Sequence, residues 1–292
     1  MRRLDRWIDK NTRSLTGKTV AVSGATGGLG RELCRRLCYL GADLILVDRN
    51  RGRSLSLIDE LRQEYPSAVL EHVTLDLEDM ERAVEVGREL RGREIDYLVL
   101  NAGAYSIPRH KCSTGFDNVY QINFVSPYCL AKMLQPTVEA RGGRIVVVGS
   151  IAHGYSRSDP EDIDFSTRSA ASKVYGNAKR YLMLALSGER AVTLTHPGIA
   201  VTGITGHYPK VIYAMIKYPM KVIFMSPRKA CLSILAGIFE ETGENEWIGP
   251  RVFNVWGMPK KQVLKGIGSD ERERIRRTAE GIREKNGRST AP

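Results

Sequence analysis

Short runs of β-branched and aliphatic residues alternate with longer helical patterns along most of the chain. The runs, in chain order, are TVAVSG, DLILVD, AVLEHVTLDL, IDYLVLNAG, RIVVVGS, AVTLTHPG and RVFNVWG. Continuous apolar strands joined by helices indicate a parallel sheet that is buried on both faces. We therefore predict an α/β fold: a doubly wound (Rossmann) parallel sheet of about seven strands, with helices on both faces.

The same pattern predicts a single domain, because no repeat and no low-complexity linker interrupts it. We assign the domain to residues 15–262, after a basic extension at 1–14. A charged tail at 263–292 is expected to form a surface helix that frays. Residues near 203–226 are rich in Tyr, Ile, Met and Val, which predicts an apolar substrate lid. Docking to a membrane surface and a core helix pair with solvated lysines are the alternatives.

The segment SGATGGLG at 23–30 follows a predicted strand and opens a predicted helix. In this position Gly24 permits a sharp turn, Gly28 lets the backbone approach a phosphate, and Gly30 lets helix and strand pack closely. The helix N-terminus then offers its amides to a pyrophosphate. The segment predicts a dinucleotide site, although a tight turn without a nucleotide would have the same glycines.

Asp48 ends the second predicted strand, where a carboxylate can accept hydrogen bonds from a ribose hydroxyl and repel a 2′-phosphate. That position favours NAD. Arg49, Arg51 and Arg53 follow directly and could hold a phosphate, so NADP stays open as the alternative.

Tyr175 and Lys179 lie four residues apart in an apolar-periodic segment. On a helix both side chains leave the same face and can converge on one ligand. In the alternative interpretation Tyr175 covers the edge of the core and Lys179 extends to water.

Several motifs in a fixed order make the chain resemble the short-chain dehydrogenase/reductase family, within the single-domain branch that includes retinol dehydrogenases. The resemblance covers residues 15–259 and depends on Ser23, Gly24, Gly28, Gly30, Asp76, the NAG at 101–103, Asn123, Ser150, Tyr175, Lys179 and HPGIAVT at 196–202. Ser150 lies 25 residues before Tyr175, about twice the usual spacing, but the intervening insert YSRSDPEDIDF is usual in the retinol-dehydrogenase-like branch.

The resemblance implies a catalytic set of four residues. Tyr175 would exchange the proton, and the ammonium of Lys179 would stabilise the phenolate and bind the cofactor ribose. Ser150 would hydrogen-bond the substrate oxygen, and Asn123 would hold a water that relays protons. His153 belongs to the same motif, with a simple loop histidine as the equal alternative.

The glycine segment and the resemblance together predict the cofactor site, in which Asp76 holds the adenine and Thr202 meets the carboxamide. The predicted cofactor residues are Ser23, Gly24, Thr26, Gly28, Leu29, Gly30, Asp48, Arg49, Asp76, Leu77, Asn101, Ala102, Gly103, Tyr175, Lys179, Pro197, Gly198 and Thr202.

Charge is concentrated at the two ends of the chain. The formal net charge is +11; residues 1–18 hold six basic and two acidic groups, and 258–292 hold ten and five. The nearly balanced body argues against nucleic-acid binding, whereas the basic ends favour peripheral contact with an anionic membrane.

The cysteine, histidine and hydropathy patterns indicate the cellular compartment and argue against a metal site. The five cysteines are an odd number without metal-like pairs, and the five histidines are dispersed, so we expect a reducing, cytoplasmic location and no metal. We find no run of 18 apolar residues and no signal-peptide centre. A homodimer is compatible with the sequence.

The function expected from these features is an NAD(P)-dependent oxidoreductase of a lipophilic alcohol or carbonyl, of steroid, retinoid or long-chain aldehyde type. The alternative is a regulatory or binding protein that holds the cofactor without turnover; the complete catalytic set disfavours it. A nucleotide-sugar epimerase or dehydratase is disfavoured as well. Such enzymes carry a larger carboxyl-terminal substrate region than the about 90 residues after Thr202 provide.

Overall fold

The structure, a computed structural model, describes residues 3–199 and 225–288. Its strands are β1 Thr19–Ser23, β2 Asp43–Asp48, β3 Leu70–Thr74, β4 Tyr97–Leu100, β5 Arg144–Val148, β6 Val192–Thr195, β7 Glu246–Val252 and β8 Trp256–Val263. Its helices are α1 Arg3–Asn11, α2 Gly28–Tyr39, α3 Arg51–Glu64, α4 Met80–Gly92, α5 Asn118–Tyr120, α6 Ser126–Ala140, α7 Ala171–Leu186, α8 Pro227–Phe239 and α9 Ser269–Arg288. A π-helical segment spans Gln121–Val125, and a 3-10 helix spans Ile151–Tyr155.

One sheet with the strand order β3-β2-β1-β4-β5-β6-β7-β8 organises the described chain. The strands β1 to β7 are parallel, which confirms the predicted doubly wound sheet. The additional strand β8 is antiparallel to β7. The predicted strand RVFNVWG at 251–257 is wrong in its position, because it spans the turn between these two strands. Only three residues separate these two strands, too few for a crossover, so the connection has to be a hairpin.

Apolar side chains cover both faces of the sheet, as buried parallel strands require. In β5, Ile145 and Val147 belong to the core cluster packed by α4, α6, α7 and α9. Val146 and Val148 belong to the opposite cluster, packed by α1, α2, α3 and α8. Alternation within one strand therefore joins two helical layers to one sheet.

Both ends of the described chain are packed against this core. Ile8 of α1 is buried, and Trp7 packs beside it. In α9, Ile275, Ala279 and Ile282 are buried along one face. The predicted helix is present as α9, an apolar stripe beneath its charged residues packs it against the core, and its fraying stays a prediction. The domain boundaries stay predictions, and the predicted lid lies outside the described residues except for its last two positions.

Candidate active site

The glycine turn between β1 and α2 is built by close backbone contacts. Gly24 has φ +65°, and a Cβ there would lie 2.8 Å from Ala102 Cα. A Cβ on Gly30 would lie 2.2 Å from the carbonyl oxygen of Gly24. Ser23 Oγ accepts hydrogen bonds from the amides of Asn101 and Ala102, both at 3.1 Å. The turn is thus fixed against the end of β4, and only glycine fits at its two tightest points.

A cavity of about 540 Å³ lies beside this turn, within the size range of small-molecule and cofactor sites. The predicted cofactor residues that line it are Ser23, Gly24, Thr26, Gly28, Leu29, Gly30, Asp48, Arg49, Asp76, Leu77, Asn101, Ala102 and Gly103. Helix α2 has no side-chain cap on Gly27 and no acidic residue in its first turn. Its first amides and the glycine turn therefore fit a pyrophosphate.

At the far end of the cavity, Asp48 is held by the glycine turn. Its Oδ2 accepts hydrogen bonds from the Thr26 amide at 3.0 Å and from the Thr26 hydroxyl at 2.7 Å. The exposed Arg49 guanidinium lies 3.9 Å from Asp76 Oδ2. A carboxylate fixed in orientation thus faces the cavity, and the Arg49 guanidinium is directed towards a second carboxylate.

The predicted pair on α7 lies at the carboxyl end of β5, close to Ser150. Lys179 is 2% exposed, and its Nζ donates a hydrogen bond to the carbonyl of Val148 at 3.0 Å. Nζ also lies 5.9 Å from the centre of the Tyr175 ring. The Tyr175 ring meets Tyr105, which lines the cavity, edge to face at 5.4 Å. The alternative in which Lys179 extends to water is wrong.

Burial controls the protonation of both residues. It raises the pKa of Tyr175 to about 12, and a hydrogen bond from Ser150 opposes this rise only in part. Burial also lowers the pKa of Lys179 to about 8. Lys179 Nζ donates its hydrogen bond to Val148, and burial is the main influence on the pKa of Tyr175. A pKa of about 12 holds Tyr175 as a phenol, a proton donor, at neutral pH, and the stabilisation of a phenolate by Lys179 stays a prediction.

Asn123 lies in the π-helical segment that joins α5 to α6. Its Nδ2 donates hydrogen bonds to the carbonyls of Ala104 and Val119, both at 2.8 Å, and its Oδ1 accepts one from the Ala104 amide. A Cβ on Gly103 would lie 2.7 Å from Asn123 Oδ1 and 3.4 Å from Lys179 Nζ. The glycine therefore lets the backbone pass closely between the two side chains. Such π-helical turns are frequent at functional sites.

The last predicted segment of the site follows β6. Gly198 has φ +81°, and a Cβ there would lie 2.7 Å from the carbonyl of Val255 and 2.8 Å from Pro250. Pro197 and Gly198 thus lie against the β7–β8 hairpin, and they do not line the described cavity. Thr202 lies outside the described residues.

Two buried histidines and a tryptophan support Ser150, a role that the sequence did not reveal. His153 Nδ1 lies 2.7 Å from the Ser150 carbonyl, and its ring meets Trp247 edge to face at 5.2 Å. His196 stacks on the same Trp247 ring, with ring centres 4.8 Å apart. Burial lowers the pKa of His153 and lowers that of His196 to about 4. Both rings are therefore neutral near pH 7, and Nδ1–H of His153 donates to Ser150.

Arg180, next to Lys179, fixes the loop after Ser150 to the carboxyl-terminal helix. Its guanidinium is buried and donates to Glu271 at 2.7 Å, to the His153 carbonyl at 3.1 Å and to the Gly266 carbonyl at 3.0 Å. Ser158 donates to the same carboxylate from its amide and its hydroxyl. Burial raises the pKa of Glu271, but these donors outweigh it and hold the pKa at about 2. The sequence signal for this role was an arginine directly after the predicted catalytic lysine. Nothing in the sequence marked the distant Glu271 as its partner.

One cluster of metal-ligand types occurs in the described ranges, at Glu78, His110 and Cys112. Asn118 Nδ2 lies 3.2 Å from His110 Nδ1 and donates to it, so His110 carries its proton on Nε2, which lies 2.8 Å from Glu78. Burial raises the pKa of the Cys112 thiol to about 11. The contacts of His110 with Asn118 and Glu78 account for the cluster, and the absence of a metal stays a prediction.

The comparisons with known proteins agree with this geometry. A family profile described as short chain dehydrogenase matches residues 18–159. A Streptomyces protein, described as a candidate daunorubicin C-13 ketoreductase, is 30% identical over 199 residues, covering 65% of this chain and 68% of the relative. The chain belongs to the short-chain dehydrogenase family. The recognised family and the predicted Rossmann class are both confirmed.

Within the short-chain dehydrogenases, two mouse proteins are similar over more of the chain. Polyprenol dehydrogenase is 26% identical, covering 91% of this chain and 83% of the relative. Retinol dehydrogenase 14 is 29% identical, with 76% of each covered. The structure of L-sorbose reductase from Gluconobacter frateurii, complexed with NADPH and L-sorbose, has a TM-score of 0.61 and 19% identity, covering 87% of this chain and 99% of that one. The similarity to retinol dehydrogenases is confirmed, and the solved structure supports the fold alone.

The helices of the described ranges include none with the length and apolar character needed to cross a bilayer.

Proposed function

We propose that the protein is an NAD(P)-dependent oxidoreductase of a lipophilic alcohol or carbonyl compound. The single observation that carries the proposal is the position of Ser150, Tyr175 and Lys179 beside the glycine-lined cavity at the carboxyl edge of the sheet. When bound, the nicotinamide would accept a hydride from the carbinol carbon or donate one to the carbonyl carbon. The protein has to orient the substrate oxygen and exchange its proton.

In the direction of reduction, the Tyr175 phenol would donate its proton to the carbonyl oxygen as that oxygen gains charge. A pKa of about 12 keeps the phenol protonated at neutral pH, so the acid is ready before the substrate binds. The Ser150 hydroxyl, which lowers the pKa of Tyr175 against the effect of burial, would orient the same oxygen. In oxidation Tyr175 would first release its own proton to solvent, and the resulting phenolate would then accept the proton of the alcohol.

The buried Lys179 would bind the cofactor ribose, and Asn123 would bind a water that connects Lys179 to solvent. Support for this pairing is the backbone of Gly103, which approaches both side chains. The nucleotide we propose is NAD. Thr26 holds the Asp48 carboxylate by Oδ2, which leaves Oδ1 to meet a ribose hydroxyl. NADP is the alternative, because Arg49 and Arg53 also line the cavity.

A lipophilic substrate is supported by apolar groups next to Tyr175. Tyr105, Ile107 and Ile122 line the cavity, and Tyr105 packs on the Tyr175 ring. The names of the relatives concern polyprenol, retinol and daunorubicin, which are polyisoprenoid or polycyclic compounds. The binding or regulatory protein without turnover is disfavoured by the complete and connected catalytic set.

The test is a screen of hydroxysteroids, retinoids and fatty alcohols, with their carbonyl counterparts, against NAD(H) and NADP(H), followed by nicotinamide absorbance. Tyr175→Phe should abolish turnover and leave the cofactor dissociation constant within about twofold, because it removes only the proton carrier. A variant that retains turnover within about tenfold would exclude Tyr175 as the acid. Cofactor binding without turnover of any compound would favour the non-catalytic alternative.

We expect a cytoplasmic protein, as a monomer or homodimer, that contacts membranes peripherally. The basic ends of the chain support this expectation. The ends cannot be tested by trimming, because Ile8 of α1 and Ile275 of α9 are buried in the core. A surface that can be changed without disturbing the core gives a sharper test.

A further inference from the structure

The hairpin between β7 and β8 presents apolar side chains to solvent. We define its tip as residues 252–256. Phe253 is 91% exposed, the highest exposure of a large apolar side chain in the described residues, and Trp256 is 46% exposed. Phe253 and Asn254 have φ of +50° and +58°. A left-handed conformation is unfavourable for phenylalanine, and the exposed ring gains no burial, so neither backbone nor packing energy explains this residue.

The surface around the tip is basic. Lys229 Nζ lies 3.3 Å from the centre of the Trp256 ring, and Arg251 comes just before the tip. The sequence has no Asp or Glu at 247–268, where it has four basic residues, and none at 227–239 in α8, where it has Arg228 and Lys229. Exposed aromatic residues beside basic side chains match the headgroups and outer acyl region of an anionic bilayer.

The tip also lies next to the candidate active site. The Asn254 carbonyl accepts a hydrogen bond from His196 Nε2 at 2.7 Å, and the Val255 carbonyl accepts one from the Ile199 amide. His196 packs on Trp247, which in turn contacts His153, the residue that supports Ser150. Because β7 is parallel to β6, the tip lies at the carboxyl edge of the sheet, with the catalytic residues.

A second copy of the chain is the other partner to consider, because β8 is an edge strand. Antiparallel pairing of two β8 strands would bring Lys260 and Lys261 close to the same lysines of the second copy. Like charges on opposed strands are destabilising, and edge lysines are a common protection against such pairing. Lys261 has one carboxylate near it, Glu246, at 3.8 Å. Charge therefore favours an anionic bilayer over self-association.

We propose that the hairpin tip inserts Phe253 and Trp256 into the surface of anionic membranes and so turns the active-site edge of the sheet towards the bilayer. The proposal goes beyond the oxidoreductase function, since it identifies the hairpin tip as the part of the chain that binds the membrane. It predicts binding that depends on both negative lipid charge and the apolar tip.

The test is flotation of the full chain with vesicles of phosphatidylcholine, with and without about 30 mol % phosphatidylglycerol, at low and high salt. Phe253→Ser should lower the partition coefficient onto anionic vesicles by about tenfold, because it removes a large apolar contact. The matched control is Val263→Ser, which changes an apolar side chain that is 62% exposed at the far end of β8. It should bind as the wild type does. Circular dichroism melts establish that each variant folds.

Equal binding of the wild type and Phe253→Ser, or no binding by the wild type, would overturn the proposal. A change from dimer to monomer in Phe253→Ser, measured by sedimentation with vesicle binding unchanged, would assign the tip to a protein interface instead. Vesicle binding is measured without turnover, so failure here leaves the proposed oxidoreductase function untouched, and the reverse also holds.

Discussion

The Arg180–Glu271 pair connects α9 to the loop that follows Ser150, and Glu271→Gln tests the strength of this connection. The difference between the ordinary carboxyl pKa of 4.5 and the value of about 2 in the folded protein corresponds to about 3 kcal/mol of stability at neutral pH. Leaving Arg180 buried without its charged partner gives a cost of similar size. With about 0.6 kcal/mol/K of unfolding entropy for a chain of this length, the melting temperature should fall by about 5 °C.

The pH dependence identifies the cause. Because the folded-state pKa of Glu271 lies below its ordinary value, the stabilisation is fully present above pH 4.5 and is lost as the pH falls towards 2. Calorimetric melts should therefore show a constant gap between wild type and variant near neutrality, and a gap that closes in acid. Glu273→Gln is the control, since its carboxylate is exposed and lies 3.6 Å from Arg277 on the same helix. An unchanged melting temperature, or a gap that persists in strong acid, would refute the reasoning.

Two further predictions concern the cofactor. Burial lowers the pKa of Lys179 to about 8, so the affinity of the free enzyme for NAD should fall as the pH rises above 8 and the ammonium is lost; Lys179→Met should bind weakly and show no such dependence in fluorescence titrations. A flat wild-type profile would contradict the ribose role. Asp48→Ala should shift the ratio of kcat/KM values towards NADP by about tenfold, because it removes the carboxylate that repels a 2′-phosphate. Wild-type preference for NADP would show instead that Arg49 and its neighbours outweigh Asp48.

Much of the fold could be predicted because its signals are local. Apolar strand runs, helical periodicity and the glycine turn each act within about twenty residues, and together they gave the parallel sheet and the cavity lining. The spacing of Tyr175 and Lys179 also predicted a shared face correctly. Helix geometry places residues four apart on one face, independently of the rest of the chain.

The remaining features depend on contacts between distant residues. Strand β8 contains Pro259 and two lysines, a composition that suits an edge strand but not a core strand. The apolar stripe of α9 consists of only three residues among many charged ones, so its burial depends on the groove that receives the helix. The high pKa of Tyr175 follows from its burial in the folded chain, and sequence spacing does not determine that burial.

The ion pair between Arg180 and Glu271 also sets an order of events during synthesis. The two residues are separated by 91 positions, so the ribosome finishes α7 well before the carboxylate that Arg180 needs has been made. The glycine turn, β2 and β4 are complete much earlier. A growing chain can therefore form the glycine turn first, while the loop after Ser150 still lacks its anchor. We expect chains interrupted before residue 271 to keep that loop unanchored.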